Sequence, residues 1–290
     1  MLIIDSLIDK INDKTSPIVV GLDPVIEHVP DHIKKAALSS LGNTIQATIE
    51  ALYRFNQTLL EVLQPVIPAV KLQSACYELY GKFGIELFDK TVELAKKLGY
   101  IVIDDAKRND IGNTAQMYAV AHLGESPLIE GVESRVKPDF LTVNPLLGDD
   151  SIQPFVKQCE SSNKGLFILV RTSNPSAKQY QEAIIDGKPL YHQIALDVQK
   201  LSEGENGKHN YANYGAVVGA TWDHEIKELR ELMPNVFFLM PGYGAQGGTA
   251  DQIVTGFSED GLGAIVNASR SIIFALNKTE NQKRYKSDDW

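Results

Sequence analysis

Two carboxylates and a lysine directly follow an apolar run in the segment IVIDDAKRNDI, residues 101–111. Side chains on a β-strand alternate between its two faces, so Asp105 and Lys107 are predicted to share a face with Ile103. Asp110 lies a short way beyond them. Opposite charges fixed where a strand ends can stabilise charge that develops on a bound molecule. The segment therefore predicts an electrostatic site, whereas most charge runs at strand ends are solvated surface.

Two further charged residues stand at the ends of earlier apolar runs. Asp23 ends the run VVGLD, and Lys71 lies near the end of the run AVKLQ. With Asp105 and Lys107 they form a row of alternating sign, in which the lysines stay protonated and the carboxylates stay ionised. Such a row suits proton donation to carbon. It is ill suited to Schiff-base chemistry, which needs a lysine of depressed pKa.

A glycine-rich turn and an arginine near the C-terminal end predict a phosphate site. The segment MPGYGAQGG, residues 240–248, has four glycines among its last seven residues, and Arg270 follows the last apolar run. Glycines allow backbone amides to approach an anion, and a guanidinium can fork onto phosphate oxygens. The turn alone is weak evidence, and the nearby arginine strengthens it.

Composition places the chain among ordinary globular proteins. It has 290 residues, 43% hydrophobic and 22% charged, with a net charge of −9. This charge argues against nucleic acid or an anionic membrane as the main partner. Cys76 and Cys159 supply no disulfide framework and no metal-ligand spacing, and the six histidines form no metal-binding motif and are expected on surfaces or helices. With no apparent targeting segment or membrane span, a cytoplasmic location is expected.

Eight short apolar runs, each followed by a helical pattern, predict a (β/α)₈ barrel in the α/β class, with one domain over residues 1–290. A doubly wound sheet is less favoured, because no glycine fingerprint follows the first strand. The predicted strands are residues 17–23, 67–73, 100–105, 140–144, 166–171, 214–219, 236–241 and 264–267. The predicted helices are residues 44–63, 85–98, 113–122, 152–158, 190–201, 224–232, 250–257 and 271–276.

Three segments fall outside this regular alternation. Residues 24–43 and 172–213 are too long for ordinary connections and are expected to carry extra helix or a lid. The polar tail, about residues 277–290, is expected to be frayed or docked on the surface. The first eleven residues have apolar side chains at helical spacing, which predicts an N-terminal helix.

Taken together, these residues resemble the orotidine 5′-phosphate decarboxylase family, over nearly the whole chain. The family motif Asp-x-Lys-x-x-Asp-Ile is read here as DAKRNDI, residues 105–111, followed by Thr114. The two long connections resemble the longer bacterial form of the enzyme. The resemblance implies a homodimeric barrel without metal or organic cofactor, which converts orotidine 5′-phosphate to uridine 5′-phosphate in pyrimidine biosynthesis.

The resemblance also implies roles for the charged residues. Lys107 would protonate C6 of the pyrimidine as carbon dioxide leaves, and Asp105 would lie against the departing carboxylate. Lys71 and Asp110 would complete the charge network, with Asp110 and Thr114 reaching into the site of the neighbouring subunit.

The remaining implied contacts concern substrate binding. Asp23, with Lys71, would hold ribose hydroxyls, and Ser173 would contact the pyrimidine. Gln246 and Arg270 would bind the phosphate, whereas Asn144 receives no role. The chain departs from compact family members at Gly112, where they have proline, and at Ser269, where they have glycine. These departures affect loops and not reacting groups.

Three alternatives remain open at this point. One is a magnesium-dependent sugar-phosphate decarboxylase or aldolase that shares the barrel and the motif, but Lys71 stands where those enzymes carry an acidic metal ligand, and it would repel Mg²⁺. Another is a Schiff-base aldolase using Lys71 or Lys107, which the flanking aspartates disfavour. The third is a non-catalytic barrel that binds a nucleotide or acts as a structural dimer.

Overall fold

The computed structural model describes residues 1–204, 206–243, 249–277 and 279–284. Eight parallel strands close into a barrel, as predicted. Each barrel strand pairs with the barrel strands that precede and follow it along the chain, and the first pairs with the last. The strands are β1 (Ile18–Leu22), β2 (Ala69–Leu72), β3 (Ile101–Arg108), β4 (Phe140–Val143), β5 (Gly165–Arg171), β6 (Tyr214–Val218), β7 (Phe238–Met240) and β8 (Ala264–Ala268).

All eight predicted strands are confirmed within a few residues. The largest difference is at the C-terminal end of β3, which was predicted to end at Asp105 and continues to Arg108. Alternation along β3 is also confirmed, because Ile101 and Ile103 pack inside the barrel while Val102 packs under the surrounding helices.

Helices surround the barrel and close its N-terminal end. They are α1 (Ile3–Lys14), α2 (Asp31–Leu41), α3 (Ile45–Leu63), α4 (Ser74–Glu78), α5 (Gly81–Lys97), α6 (Gly112–Leu123), α7 (Asp149–Ser162), α8 (Lys178–Gln181), α9 (Leu190–Ser202), α10 (Asp223–Leu232), α11 (Ala250–Val254), α12 (Arg270–Ile273) and α13 (Thr279–Arg284). The predicted N-terminal helix is α1, and its apolar residues pack with the inward-facing side chains of the strands. Because α1 closes this end of the barrel, the C-terminal ends of the strands form the open face.

Both long connections carry structure of their own, as expected. Residues 24–43 contain a turn of 3₁₀-helix and α2. Residues 172–213 contain α8, a small hairpin of Ile184–Ile185 and Lys188–Pro189, and α9. A second hairpin, Ser126–Pro127 with Val132–Glu133, was not predicted. Within the described residues, no helix combines the length and the apolar character that a membrane span requires.

Candidate active site

A cavity of about 380 Å³ lies at the C-terminal ends of the strands. This is the face on which barrel enzymes carry their active sites. Six of the predicted site residues line it: Asp23, Lys71, Asp105, Lys107, Ser173 and Arg270. Residues far apart in the sequence therefore meet in one place, because each stands at the end of a strand or just beyond it.

The alternating charge row is present across β1, β2 and β3. Lys71 Nζ lies 2.7 Å from Asp105 Oδ2 and 3.9 Å from Asp23 Oδ1. Lys107 Nζ lies 2.5 Å from the other oxygen of Asp105. Lys71 is only 3% exposed, whereas the side chain of Lys107 is 43% exposed. One carboxylate thus bridges a buried ammonium and an accessible one.

The charges in this row reinforce each other. Burial would raise the pKa of Asp105, but the ammonium groups of Lys71 and Lys107 hold it well below its usual range. Burial would likewise lower the pKa of Lys71, but the carboxylates of Asp105 and Asp23 raise it above its usual value. Asp105 and Lys71 are both charged at neutral pH, as the sequence pattern predicted.

The backbone at the end of β3 departs from a regular strand. Lys107 has a left-handed backbone conformation, with φ at 51°, and the pairing of β3 with β4 shifts between Asp104 and Arg108. Such conformations cost free energy in residues other than glycine and occur often at functional sites. Here the bulge directs both Asp105 and Lys107 into the cavity.

Thr142 supports this bulge and was not predicted as a site residue. Its hydroxyl accepts a hydrogen bond from the backbone N–H of Lys107 at 2.9 Å and donates one to Asp105 Oδ1 at 3.0 Å. A signal was available in the sequence, since Thr142 stands two residues after the inward-facing Phe140 on an otherwise apolar strand. A lone polar residue at an inward position of a barrel strand indicates contact with the site.

Gln73 is a second residue that the sequence analysis did not assign. Its side-chain oxygen accepts a hydrogen bond from Lys71 Nζ at 3.3 Å, and its amide donates to the backbone oxygen of Asp105 at 3.3 Å. Gln73 therefore ties the end of β2 to the end of β3.

The opposite wall of the cavity is apolar. Leu169, Val217 and Leu239 reach it from β5, β6 and β7, and Pro241 and Gly242 extend it toward the glycine-rich turn. A flat ring held in this cavity would therefore meet charged groups along one side and hydrocarbon along the other.

Polar groups that need a ligand lie between these two walls. Asp23 Oδ1 and Asn267 Oδ1 are buried, and the described residues offer neither oxygen a hydrogen bond. Both side chains line the cavity, from the adjacent strands β1 and β8. Buried acceptors are normally satisfied, so a bound molecule with hydroxyl groups fits this corner.

Of the predicted site residues, Asp110 and Thr114 do not line the cavity, and neither does Asn144, which was given no role. Asp110 is half-buried, and its carboxylate accepts a hydrogen bond from the Ile111 backbone N–H at 2.8 Å. Thr114 is exposed on α6. Asn144 accepts a hydrogen bond from the Leu146 backbone at 3.0 Å, within a turn. Gln246 lies outside the described residues.

A polar cluster behind β3 was also missed. The buried carboxylate of Asp104 accepts a hydrogen bond from Ser74 and lies 2.6 Å from His122 Nδ1. The other ring nitrogen of His122 accepts a hydrogen bond from Arg108, which also contacts Glu78. His122 is on a helix as expected, but it is a partner of a buried carboxylate and not a surface residue. No local pattern signals this pairing, because its members come from β3, α4 and α6.

Among the residues that the structure describes, no three histidine, cysteine, aspartate or glutamate side chains are arranged to hold a metal ion. The two cysteines are unpaired thiols, half-buried in Cys76 and buried in Cys159, as expected.

Comparison with known proteins agrees with this geometry. The model of the orotidine 5′-phosphate decarboxylase / HUMPS family matches residues 16–285. An orotidine 5′-phosphate decarboxylase of Caldicellulosiruptor saccharolyticus is 39% identical over 271 residues, which cover 93% of this chain and 89% of the relative. One of Clostridium novyi is 36% identical over 285 residues, covering 98% and 93%. The structure of Leishmania donovani OMP decarboxylase superposes with a TM-score of 0.73 at 26% identity, covering 98% of this chain and 96% of that one. The chain therefore belongs to the orotidine 5′-phosphate decarboxylase / HUMPS family.

Proposed function

We propose that this protein converts orotidine 5′-phosphate to uridine 5′-phosphate and carbon dioxide, without a metal or organic cofactor. The observation that carries the proposal is the row Lys71–Asp105–Lys107, held in one cavity with Arg270. Family membership supplies the substrate class. The row supplies fixed charge, which this reaction needs because the electron pair left on C6 has no adjacent electron sink.

The reaction breaks the bond between C6 and the carboxylate, and the electron pair stays on C6. The Lys107 ammonium stabilises this developing charge and then gives one of its protons to C6. Lys107 is left as a neutral amine and regains a proton from solvent, to which its side chain is open. Because the ammonium is already oriented, no solvent reorganisation is required as the charge moves.

Asp105 acts on the substrate carboxylate by repulsion. Its flanking lysines hold Asp105 ionised, so a substrate carboxylate placed against it is destabilised, and loss of carbon dioxide relieves the repulsion. Stabilisation of the carbanion by Lys107 lowers the barrier more than this repulsion does.

Binding groups surround the reacting carbon. Asp23 and Asn267 offer the buried acceptors for ribose hydroxyls, with Lys71 beside them. Ser173 borders the cavity where the pyrimidine ring would lie, and Arg270 would bind the phosphate together with Gln246. Contacts to the phosphate are remote from C6 but can hold the ring in the reactive orientation.

We also propose that the protein forms a homodimer in which Asp110 and Thr114 enter the partner's site. Neither residue lines the cavity of its own chain. Ile111 is 55% exposed and Met117 is 63% exposed, and Met117 lies one helical turn from Thr114 on α6. Exposed large apolar side chains in the segment that carries Asp110 and Thr114 support a protein interface there.

A direct test uses the loss of orotidine 5′-phosphate absorbance, with and without chelator. Lys107→Ala is expected to abolish turnover while binding of uridine 5′-phosphate largely survives; Lys90→Ala, in an exposed ion pair on α5, is the matched control and is expected to keep full activity. Retained turnover in Lys107→Ala would remove the proposed proton donor. Loss of wild-type activity with chelator and recovery with Mg²⁺ would favour the metal-dependent alternative.

Mixing two inactive variants tests the shared site. If Asp110 serves the partner's site, a re-equilibrated mixture of Lys107→Ala and Asp110→Ala protein contains hybrid dimers with one intact site, which gives about a quarter of wild-type activity. A mixture of Lys107→Ala with Lys71→Ala restores none, because both residues serve the site of their own chain. Equal recovery in the two mixtures, or recovery in neither, contradicts the shared site.

A further inference from the structure

A fully buried arginine outside the cavity has no part in the chemistry proposed above. Arg171, the last residue of β5, is 0% exposed. Its guanidinium forms a two-pronged contact with Glu225 of α10, at 2.6 Å and 3.1 Å, and a third contact with Glu182 at 2.6 Å. Forked contacts of this kind fix the orientation of both partners.

Aromatic rings pack against the same guanidinium. Its carbon lies 4.4 Å from the centre of a Trp222 ring and 5.2 Å from that of Tyr191, distances at which cation–π attraction operates. Arg171 therefore joins β5 to α9, to α10 and to the segment after α8. An irregularity in strand pairing aims it there, since Val217 of β6 pairs with Leu169 while Val218 pairs with Arg171.

This cluster reaches the cavity through Thr172. Gln181 accepts a hydrogen bond from Arg171 at 3.5 Å and from the Thr172 backbone N–H at 3.0 Å, and it donates to the Thr172 hydroxyl at 2.9 Å. The indole N–H of Trp222 donates to the Thr172 backbone oxygen at 2.8 Å. Both groups that hold the Thr172 backbone thus contact Arg171, and Thr172 and Ser173 line the cavity.

The cavity wall at Ser173 has little room to adapt. A Cβ atom on Gly219 would lie 2.8 Å from the backbone of Ser173, so the residue that directly follows β6 packs closely against this segment. The Ser173 backbone oxygen also accepts a hydrogen bond from the Thr221 hydroxyl at 3.3 Å. A change in the arginine cluster would therefore move the Ser173 segment away from β6, toward the cavity or toward solvent.

We propose that Arg171 is a positioning residue that sets the place of Ser173 in the active site, acting through Gln181 and Trp222. The inference rests on the proposed function, in which Ser173 contacts the pyrimidine. Arg171 does not touch the substrate. Its role is to hold the segment in the orientation that binds the ring before the substrate arrives, which spares the ordering cost during binding.

The first test compares variants by kcat/KM for orotidine 5′-phosphate. Arg171→Met is expected to lower this ratio by about 10- to 100-fold, the scale of a small misplacement in an active site. Arg171→Lys restores little, because lysine lacks the planar fork and the stacking surface. The control is Arg54→Met, which removes an arginine paired with Glu50 at the same 2.6 Å but on the exposed face of α3; it leaves the ratio unchanged.

A double-substitution experiment separates positioning from general loss of structure. In a Ser173→Ala background, Arg171→Met is expected to add less than about a twofold loss, because the contact that it positions is already absent. Multiplying losses would overturn the proposal. Glu225→Gln removes the negative charge that pairs with Arg171 and is combined with Ser173→Ala in the same way. If Arg171→Met does not fold, the losses of the Glu225→Gln variants decide between positioning and general loss of structure.

Hydrogen exchange gives a readout that does not depend on catalysis. Arg171→Lys and Glu225→Gln are expected to speed exchange of the Thr172 amide and of peptides covering residues 172–182, with the barrel strands unchanged. Unchanged exchange in this segment would overturn the proposal. Absence of decarboxylation by the wild-type protein would instead refute the proposed function, with the exchange result still reporting on the cluster.

Discussion

Replacing Asp105 by asparagine tests the charge row at its centre. The substitution keeps the size of the side chain and removes its negative charge. Lys71, which is 3% exposed, then loses its charged partner at 2.7 Å, and of its two carboxylate neighbours only Asp23 at 3.9 Å remains. The variant therefore leaves a buried ammonium with an incomplete set of counter-charges.

The distances set the scale of the effect. At an effective dielectric constant near 20, the attraction of Lys71 is about 6 kcal/mol to the nearer carboxylate and about 4 kcal/mol to the farther one. Desolvation offsets much of this, and removal of one partner of a buried pair costs about 3–5 kcal/mol in practice. Because Asp23 remains, we expect Asp105→Asn to lower the free energy of unfolding by about 3 kcal/mol, the lower end of that range.

The pH dependence has a definite sign. In the wild-type protein the pKa of Asp105 is lowered and that of Lys71 is raised, so their contribution is fully present between the unfolded values of about 3.9 and 10.4. It is lost as pH falls through the lowered value or rises through the raised one. Burial is already the largest single influence on the pKa of Lys71, so without the charge of Asp105 we expect it to move this pKa below its unfolded value. The variant then gains stability as pH rises, and its deficit narrows between pH 7 and pH 10.

Urea unfolding followed by circular dichroism at several pH values measures both quantities. Glu86→Gln is the control, because Glu86 pairs with Lys90 at a similar 2.8 Å on the surface; no resolvable change in unfolding is expected there. A deficit below about 0.5 kcal/mol in Asp105→Asn would show that the row is energetically equivalent to a surface pair. A deficit that does not vary from pH 7 to pH 10 would show that Lys71 is not the source.

Further predictions concern residues around the cavity. Thr142→Val is expected to lower the decarboxylation rate and to cost about 1–3 kcal/mol in urea unfolding, because it leaves the Lys107 N–H without its acceptor; a variant with wild-type kinetics would contradict this support. Asp104→Asn is expected to lower the free energy of unfolding by about 1–3 kcal/mol, since Asp104 is buried against His122; an unchanged urea midpoint would argue against it. Burial raises the pKa of Cys76 to about 11, so iodoacetamide should modify it at pH 8 at least about tenfold more slowly than a free thiol. Mass spectrometry that finds rapid modification of Cys76 at pH 8 would refute the half-buried placement of its thiol.

The barrel and most of the charge row were predictable because they follow from local rules. Apolar runs of β-strand length, separated by helical patterns, determine the number of strands and their parallel order. The alternation of side chains along each strand then determines which of them face inward, as Ile103 and Asp105 illustrate. Since all parallel strands end at one face of the barrel, residues at strand ends can be predicted to lie together without any knowledge of distances.

Features that depend on irregular backbone or distant partners were not predictable in this way. The left-handed conformation of Lys107 and the pairing shift of β3 arise from contact with β4 and Thr142. Strict alternation also fails for Arg171, because the irregularity beside β6 turns it out of the barrel. The contact of Asp104 with His122 joins a strand to a helix, and the sequence around either residue does not indicate the other.

The different surroundings of the two lysines support the proposed proton donor, independently of the sequence motif. A donor must regain its proton after each turnover, so it needs access to water; a residue that keeps Asp105 ionised must not lose its charge at all. Lys71 is almost completely buried, and two carboxylates raise its pKa. Lys107 contacts one carboxylate and has a side chain 43% exposed. Exchanging these environments would leave the proton donor without access to water and the partner of Asp105 open to solvent, so the surroundings support the proposed donation by Lys107 and the proposed role of Lys71 in keeping Asp105 ionised.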